Sequence, residues 1–145
     1  MTSPPNPKSI RLGTALAAGD IDGDGIDDVL AGAPYLGSNG NQPGGAYVYR
    51  GALSGLQGNP WVSLSSPVAD AYGRFGDSLT IPGDVDGDGR ADVVVAGSEI
   101  DGITTNAGAV FVYLSGATGL STSPVVRLDR PATMTVTGFG GSLLP

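Results

Sequence analysis

Short apolar runs alternate with glycine-bounded polar turns along the chain. Val29-Leu30-Ala31, Ala46-Tyr47-Val48-Tyr49, Val93-Val94-Val95-Ala96 and Val110-Phe111-Val112-Tyr113 are rich in β-branched and aromatic residues and flanked by Gly, Asp, Asn or Pro. That pattern predicts strands joined by tight turns. Uninterrupted apolar runs suit strands covered on both faces. No segment sustains a 3.6-residue period with end caps, so no helix is predicted.

The runs recur. Leu12-Gly13 leads to Gly19-Asp20-Ile21-Asp22-Gly23-Asp24-Gly25-Ile26-Asp27-Asp28-Val29-Leu30-Ala31-Gly32, and Phe75-Gly76 leads to Gly83-Asp84-Val85-Asp86-Gly87-Asp88-Gly89-Arg90-Ala91-Asp92-Val93-Val94-Val95-Ala96-Gly97. Asp20 and Asp84 stand 64 residues apart, and Phe139-Gly140-Gly141-Ser142-Leu143-Leu144 restarts the unit 64 residues after Phe75. Each unit reads as four strands: 11–17, 28–32, 45–50 and 61–65 in the first, 74–81, 92–97, 109–115 and 124–129 in the second. Four strands at a fixed period predict an all-β fold of propeller blades. The expected layout is a disordered or extended segment 1–9, blade one over 10–72, blade two over 73–130, and the inner strand of a truncated third blade over 131–145.

Composition narrows the chemistry. The 145 residues include no cysteine and no histidine, which removes disulfides, thiolate and imidazole metal sites, and the Ser-His-Asp and Cys-His catalytic groups. Seven basic residues against 14 acidic ones, net −7, argue against a nucleic-acid partner and against attraction to anionic membrane. No apolar run is long enough to span a bilayer, and the polar, proline-rich N-terminus lacks the core of a signal peptide. A piece of a longer exported parent is the expectation. The 25 glycines and 11 prolines approach disorder-prone levels, but 40% hydrophobic residues in strand-sized runs favour a folded chain.

Nine of the 14 acidic residues sit in the two loops between first and second strands. Crowded like charge costs free energy unless something neutralises it. Ca²⁺ takes six to eight oxygens in a flexible shell. Carboxylates at alternate loop positions 1, 3 and 5 can turn inward together, and the intervening glycines permit the tight backbone. The expected first site is Asp20, Asp22, Asp24, the Ile26 carbonyl and Asp28. The second is Asp84, Asp86, Asp88, the Arg90 carbonyl and Asp92. Asp27, at position 8, is expected to point away. An EF-hand needs Glu at position 12 and flanking helices; position 12 is Ala31 or Val95, inside a strand. Mg²⁺ fits less well, because it keeps waters and demands octahedral geometry.

Phe-Gly, then the Asp loop, then Gly32-Ala33-Pro34 resembles the FG-GAP repeat of integrin α-subunit β-propellers and their bacterial relatives, over about residues 10–145. Unit one departs in having Leu12 for Phe, and unit two in having Gly97-Ser98-Glu99 for Gly-Ala-Pro. The resemblance implies blades whose first strand is innermost and whose fourth is outermost, calcium loops on one face and ligand-contacting loops on the other. It implies a non-catalytic calcium-stabilised adhesion module with an extracellular or cell-surface parent. Family rings usually have seven blades. Two blades and a strand cannot close a ring alone, so homo-oligomerisation through the blade flanks and the C-terminal strand is expected.

Ligand contacts are expected in loops 33–44 and 98–107, which hold Tyr35, Leu36, Asn39, Asn41, Gln42, Glu99, Ile100, Asp101, Thr104 and Asn106; each is also an ordinary solvated turn residue. A glycan-binding module is the alternative, with Trp61, Tyr35 and Tyr72 as stacking platforms, although Trp61 also suits packing between blades. A carboxylate-based hydrolase ranks below both, since the clustered carboxylates are already assigned to calcium.

Overall fold

The computed structural model describes residues 10–37, 41–101, 105–135 and 138–143. These residues form two four-stranded antiparallel sheets, each in simple chain order. The first holds β1 (Leu16–Gly19), β2 (Asp28–Ala33), β3 (Gly45–Tyr49) and β4 (Val62–Ser65). The second holds β5 (Phe75–Gly83), β6 (Asp92–Gly97), β7 (Ala109–Tyr113) and β8 (Val126–Asp129). No helix occurs among the described residues.

The sheets share one register, with Val29 opposite Tyr49 in the first and Val93 opposite Tyr113 in the second. β2, β3, β6 and β7 carry most of the core, including Leu30, Val48, Val93, Val95, Phe111 and Tyr113, while β8 is exposed along its length. This is the burial profile of blades whose outermost strand faces solvent.

The inner strands differ. β1 spans four residues and β5 nine. β5 carries irregularities between Phe75 and Ser78 and between Thr80 and Gly83, which absorb its extra length against β6. Residues 11–14, expected in the first strand, instead form a turn closed by Thr14 N–H to the Arg11 carbonyl, 3.1 Å. The same turn recurs twice, from Asp77 N–H to the Arg74 carbonyl (3.0 Å) and from Gly141 N–H to the Gly138 carbonyl (2.9 Å). In each copy the first and third residues have positive φ: Arg11 and Gly13, Arg74 and Gly76, Gly138 and Gly140. The Phe-Gly or Leu-Gly dipeptide therefore marks a left-handed turn at the entry to each unit, ahead of β1 in the first and within the first residues of β5 in the second.

That turn also makes the seam between blades. Phe75 donates its N–H to the Pro43 carbonyl of the first blade at 3.0 Å, while its ring lies edge-on to Phe111 (5.8 Å) and Tyr113 (6.3 Å) in the second. A Cβ on Gly32 would lie 2.0 Å from the Gly76 carbonyl oxygen, so the blades meet backbone to backbone there. Phe139 repeats the docking, with its N–H on the Ala107 carbonyl at 2.9 Å. Its side chain is half-buried, unlike that of Phe75. Residues 138–143 thus seat on the second blade as a turn rather than as the strand expected from the sequence.

Candidate functional site

The two Asp loops leave the same end of neighbouring sheets and touch. Ala91 N–H bonds to the Asp20 carbonyl at 2.9 Å, and the Arg90 side chain lies against Gly23. Within each loop one hydrogen-bond plan operates. The first carboxylate accepts three backbone N–H groups: Asp20 from Gly23 (2.7 Å), Asp24 (3.0 Å) and Gly25 (2.8 Å), and Asp84 from Gly87 (2.7 Å), Asp88 (3.0 Å) and Gly89 (2.7 Å). The third and fifth positions continue the curl: Asp22 and Asp86 accept the N–H two residues on, as do Asp24 and Asp88. Short side chains bonding to backbone just ahead close such loops without regular structure.

The ninth position has a second task. Asp28 is fully buried and accepts the N–H groups of Ile21 (3.0 Å) and Gly51 (2.9 Å). Asp92, equally buried, accepts those of Val85 (2.7 Å) and Ser115 (2.9 Å). Each carboxylate therefore clips its loop to the chain leaving the third strand. The sequence reading missed Gly51 and Ser115, because a backbone donor leaves no mark on residue type. Gly51 does carry a signal: a Cβ there would lie 2.2 Å from the Asp27 carbonyl oxygen. In the second blade Ser115 has room, and its hydroxyl donates to the Ala91 carbonyl at 2.7 Å.

Three of the four expected carboxylates converge in each loop. Oxygens of Asp20, Asp22 and Asp28 lie within 4.8 Å of one another, as do those of Asp84, Asp86 and Asp88. Asp24 and Asp92, expected in the same sets, lie outside these triads, and Asp27 is exposed and outside its cluster. Burial pushes the Asp28 carboxyl above its ordinary value, against its N–H bonds from Gly51 and Ile21. Desolvation pushes Asp86 upward, helped by the charges of Asp88, Asp92 and Asp84. Asp84 is pulled down, first by the Gly89 N–H.

The other candidates divide between the two ends of the blades. Tyr35 lies between two guanidinium groups, with Arg11 at 4.6 Å and Arg74 at 5.4 Å from its ring centre. Arg74 pairs with Glu99 at 2.9 Å, so Tyr35 and Glu99 do meet, around a small cleft also lined by Gln42 and Tyr72. Asp101 instead holds its own loop, accepting the Asn106 N–H at 2.8 Å and donating its N–H to Asp70 at 2.8 Å. Asn39 and Thr104 lie outside the described residues. Trp61 sits at the opposite end, beside the first Asp loop. Arg50 covers its ring at 4.3 Å, and it rests against Gly119 of the second blade. That is the packing role rather than an open stacking platform.

Among the described residues no helix is long and apolar enough to cross a membrane. The FG-GAP repeat family matches residues 12–49. The chain is similar to integrin alpha-4 of Xenopus laevis, 35% identical over 81% of this chain and 11% of that protein. Integrin alpha-IIb of Mus musculus is 35% identical over 91% of this chain and 13% of its own length. Integrin alpha-PS2 of Drosophila melanogaster is 38% identical over 78% and 8%. The chain spans about a tenth of the length of these relatives. Residues 75–113 rebuild the matched segment strand for strand, with the same turn, Asp loop and buried ninth carboxylate. The chain is therefore an FG-GAP repeat protein, built of integrin-like β-propeller blades.

Proposed function

We propose that the chain is a calcium-binding, non-catalytic adhesion module in which each blade holds one Ca²⁺ in its Asp loop. The observation that carries this is the doubled convergence of carboxylates, Asp20, Asp22 and Asp28 in one loop and Asp84, Asp86 and Asp88 in the other. The donors fit the ion: every side-chain ligand offered is a hard oxygen, and the loops bend by backbone bonds rather than helices. Asp24 and Asp92 would complete the carboxylate sets, and Ile26 and Arg90 would lend carbonyls. When bound, the ion supplies positive charge where the loops concentrate negative charge. Chain residues do the rest, since the Asp28 and Asp92 clips pass loop order on to β3 and β7.

Partner contact on this reading belongs to the opposite end, where Tyr35, Arg74 and Glu99 meet at the blade seam. The relatives' integrin names support a protein ligand and an extracellular or cell-surface parent. Leu12 and Leu16 of the first blade are 45% and 64% exposed, apolar surface that supports contact with further copies of the chain. Calorimetric titration with calcium tests the main reading: two ions per chain are expected, and no heat above dilution rejects it. A monomeric mass at high protein concentration rejects the contact with further copies.

A further inference from the structure

We propose that Arg50 is a built-in competitor for the cation of the first Asp loop, so that the two loops differ in affinity and the second fills first. This rests on the calcium reading above and deepens it. Arg50 follows Tyr49, the last residue of β3, and stands one residue before the Gly51 N–H that clips Asp28. Its Nε lies 2.6 Å from Oδ2 of Asp22, whose side chain is only 10% exposed. Asp22 belongs to the converging triad of that loop. A guanidinium is always charged and has no acceptor to offer a metal. A cation entering the first loop must therefore share Asp22 with Arg50 or displace it.

Two further observations make the competition effective. Trp61 lies under the Arg50 guanidinium, and Trp61 is itself wedged against Gly119 across the seam. The guanidinium, on a side chain that is 38% exposed, is thus held beside Asp22 with little rotamer freedom left to lose, and its Nε is buried. The second blade supplies an internal control. Register places Tyr49 opposite Val29 and Tyr113 opposite Val93, so the counterpart of Arg50 is Leu114, an uncharged residue. The second loop does contain Arg90, paired with Asp88, but at 3.4 Å and with 28% and 29% of the two side chains exposed. That pair is longer, and its carboxylate is more open to water than that of Asp22, so it contributes less.

The test is a calcium titration of the whole chain from a chelated start, read by calorimetry and by tryptophan emission. Trp61 is the single tryptophan and touches Arg50, so its emission follows the first loop. The wild-type chain is expected to bind in two steps about tenfold apart, with emission changing only in the weaker one. Arg50→Leu installs the residue that the repeat itself uses at this place, and should strengthen the weaker step about tenfold. Arg50→Lys keeps the charge and should leave the two steps apart. Asp88→Asn weakens the second loop and identifies the step that remains as the first. Equal affinities in the wild type, or an Arg50→Leu chain whose weaker step is unmoved or weakened, overturn the inference while leaving two calcium loops in place. No calcium binding by the wild type overturns this inference and the calcium reading together.

Discussion

Asp28→Ala should destabilise the chain even when calcium is absent, because the carboxylate holds two buried backbone donors as well as facing the cation cluster. Ile21 and Gly51 are both buried, and their N–H groups meet Asp28 at 3.0 and 2.9 Å. Hydrogen bonds to a charged group contribute about 1.5–3 kcal/mol each, so losing both costs about 3–6 kcal/mol. Releasing a carboxylate whose burial is itself unfavourable returns part of this, as the raised Asp28 pKa indicates. The net loss should be about 2–4 kcal/mol, or roughly 5–15 °C in melting temperature for a chain of this size. Asp24→Asn is the matched control. It removes another carboxylate of the same loop, but an exposed one whose bond is to a local N–H. In excess chelator it should change stability by no more than about 0.5 kcal/mol. Urea unfolding followed by circular dichroism, with chelator throughout, measures both. If Asp28→Ala and Asp24→Asn give equal midpoints there, the clip between loop and third strand does not hold the blade and the reasoning fails.

Other consequences follow from the seam and from charge. Gly32→Ala places a methyl group into the Gly76 carbonyl and should cost at least about 1–3 kcal/mol by thermal melting, whereas Gly25→Ala, facing open space but strained at φ 86°, should cost only about 1 kcal/mol. Phe75→Ala empties the edge-on contacts with Phe111 and Tyr113 and should cost about 3–5 kcal/mol; a loss under about 1 kcal/mol would show that the seam is not a core. Chelator should lower the wild-type melting temperature, since native-only binding at 100-fold excess over Kd adds about 2.7 kcal/mol per site, and identical melts with and without free calcium would contradict the assignment. Asp77 gives a pH dependence. Burial raises its carboxyl above 3.8, against bonds from Ser98. The folded state therefore holds this proton more tightly than the unfolded chain, and the group's stabilising contribution is full below that value and lost as pH rises through the folded pKa. The melting temperature of Asp77→Asn relative to wild type should rise from acid to neutral pH, and a flat difference would refute this.

Much of the fold was legible because the repeat puts two copies of every signal in one chain. The runs at Val29 and Val93 found β2 and β6, and the four-strand order of each blade followed from their spacing. The inner strand of the first blade was less legible. Arg11-Leu12-Gly13 reads as the start of a strand by apolarity, but its positive φ values make it a turn, and only backbone geometry distinguishes the two. Phe139-Gly140 is the same case: alignment with Phe75 marked it as the start of a third unit, but not that its described residues would stay a turn seated on the second blade. Spacing predicted four carboxylates in each Asp loop, and three of them converge in each. What spacing could not give is the unequal work of the carboxylates. Asp20 and Asp84 organise loop backbone, whereas Asp28 and Asp92 reach donors that lie 23 residues away in sequence.

That division of labour explains why the loops occur at the seam. The Phe75 and Phe139 turns are each docked by backbone on the preceding blade, and each Asp loop is tied by its ninth carboxylate to the chain leaving its own third strand. The bond from Ala91 N–H to the Asp20 carbonyl then joins loop to loop. Charge placed in the first loop is consequently felt at Ala91, one residue from the buried Asp92. Order in one loop is linked to order in the next through backbone rather than through flexible side chains, which favours a stack of blades that forms cooperatively from nearest-neighbour contacts. Substituting Arg50 and substituting Gly32 should therefore act on different links of this chain, the first changing how tightly a cation is held and the second whether adjacent blades can approach at all.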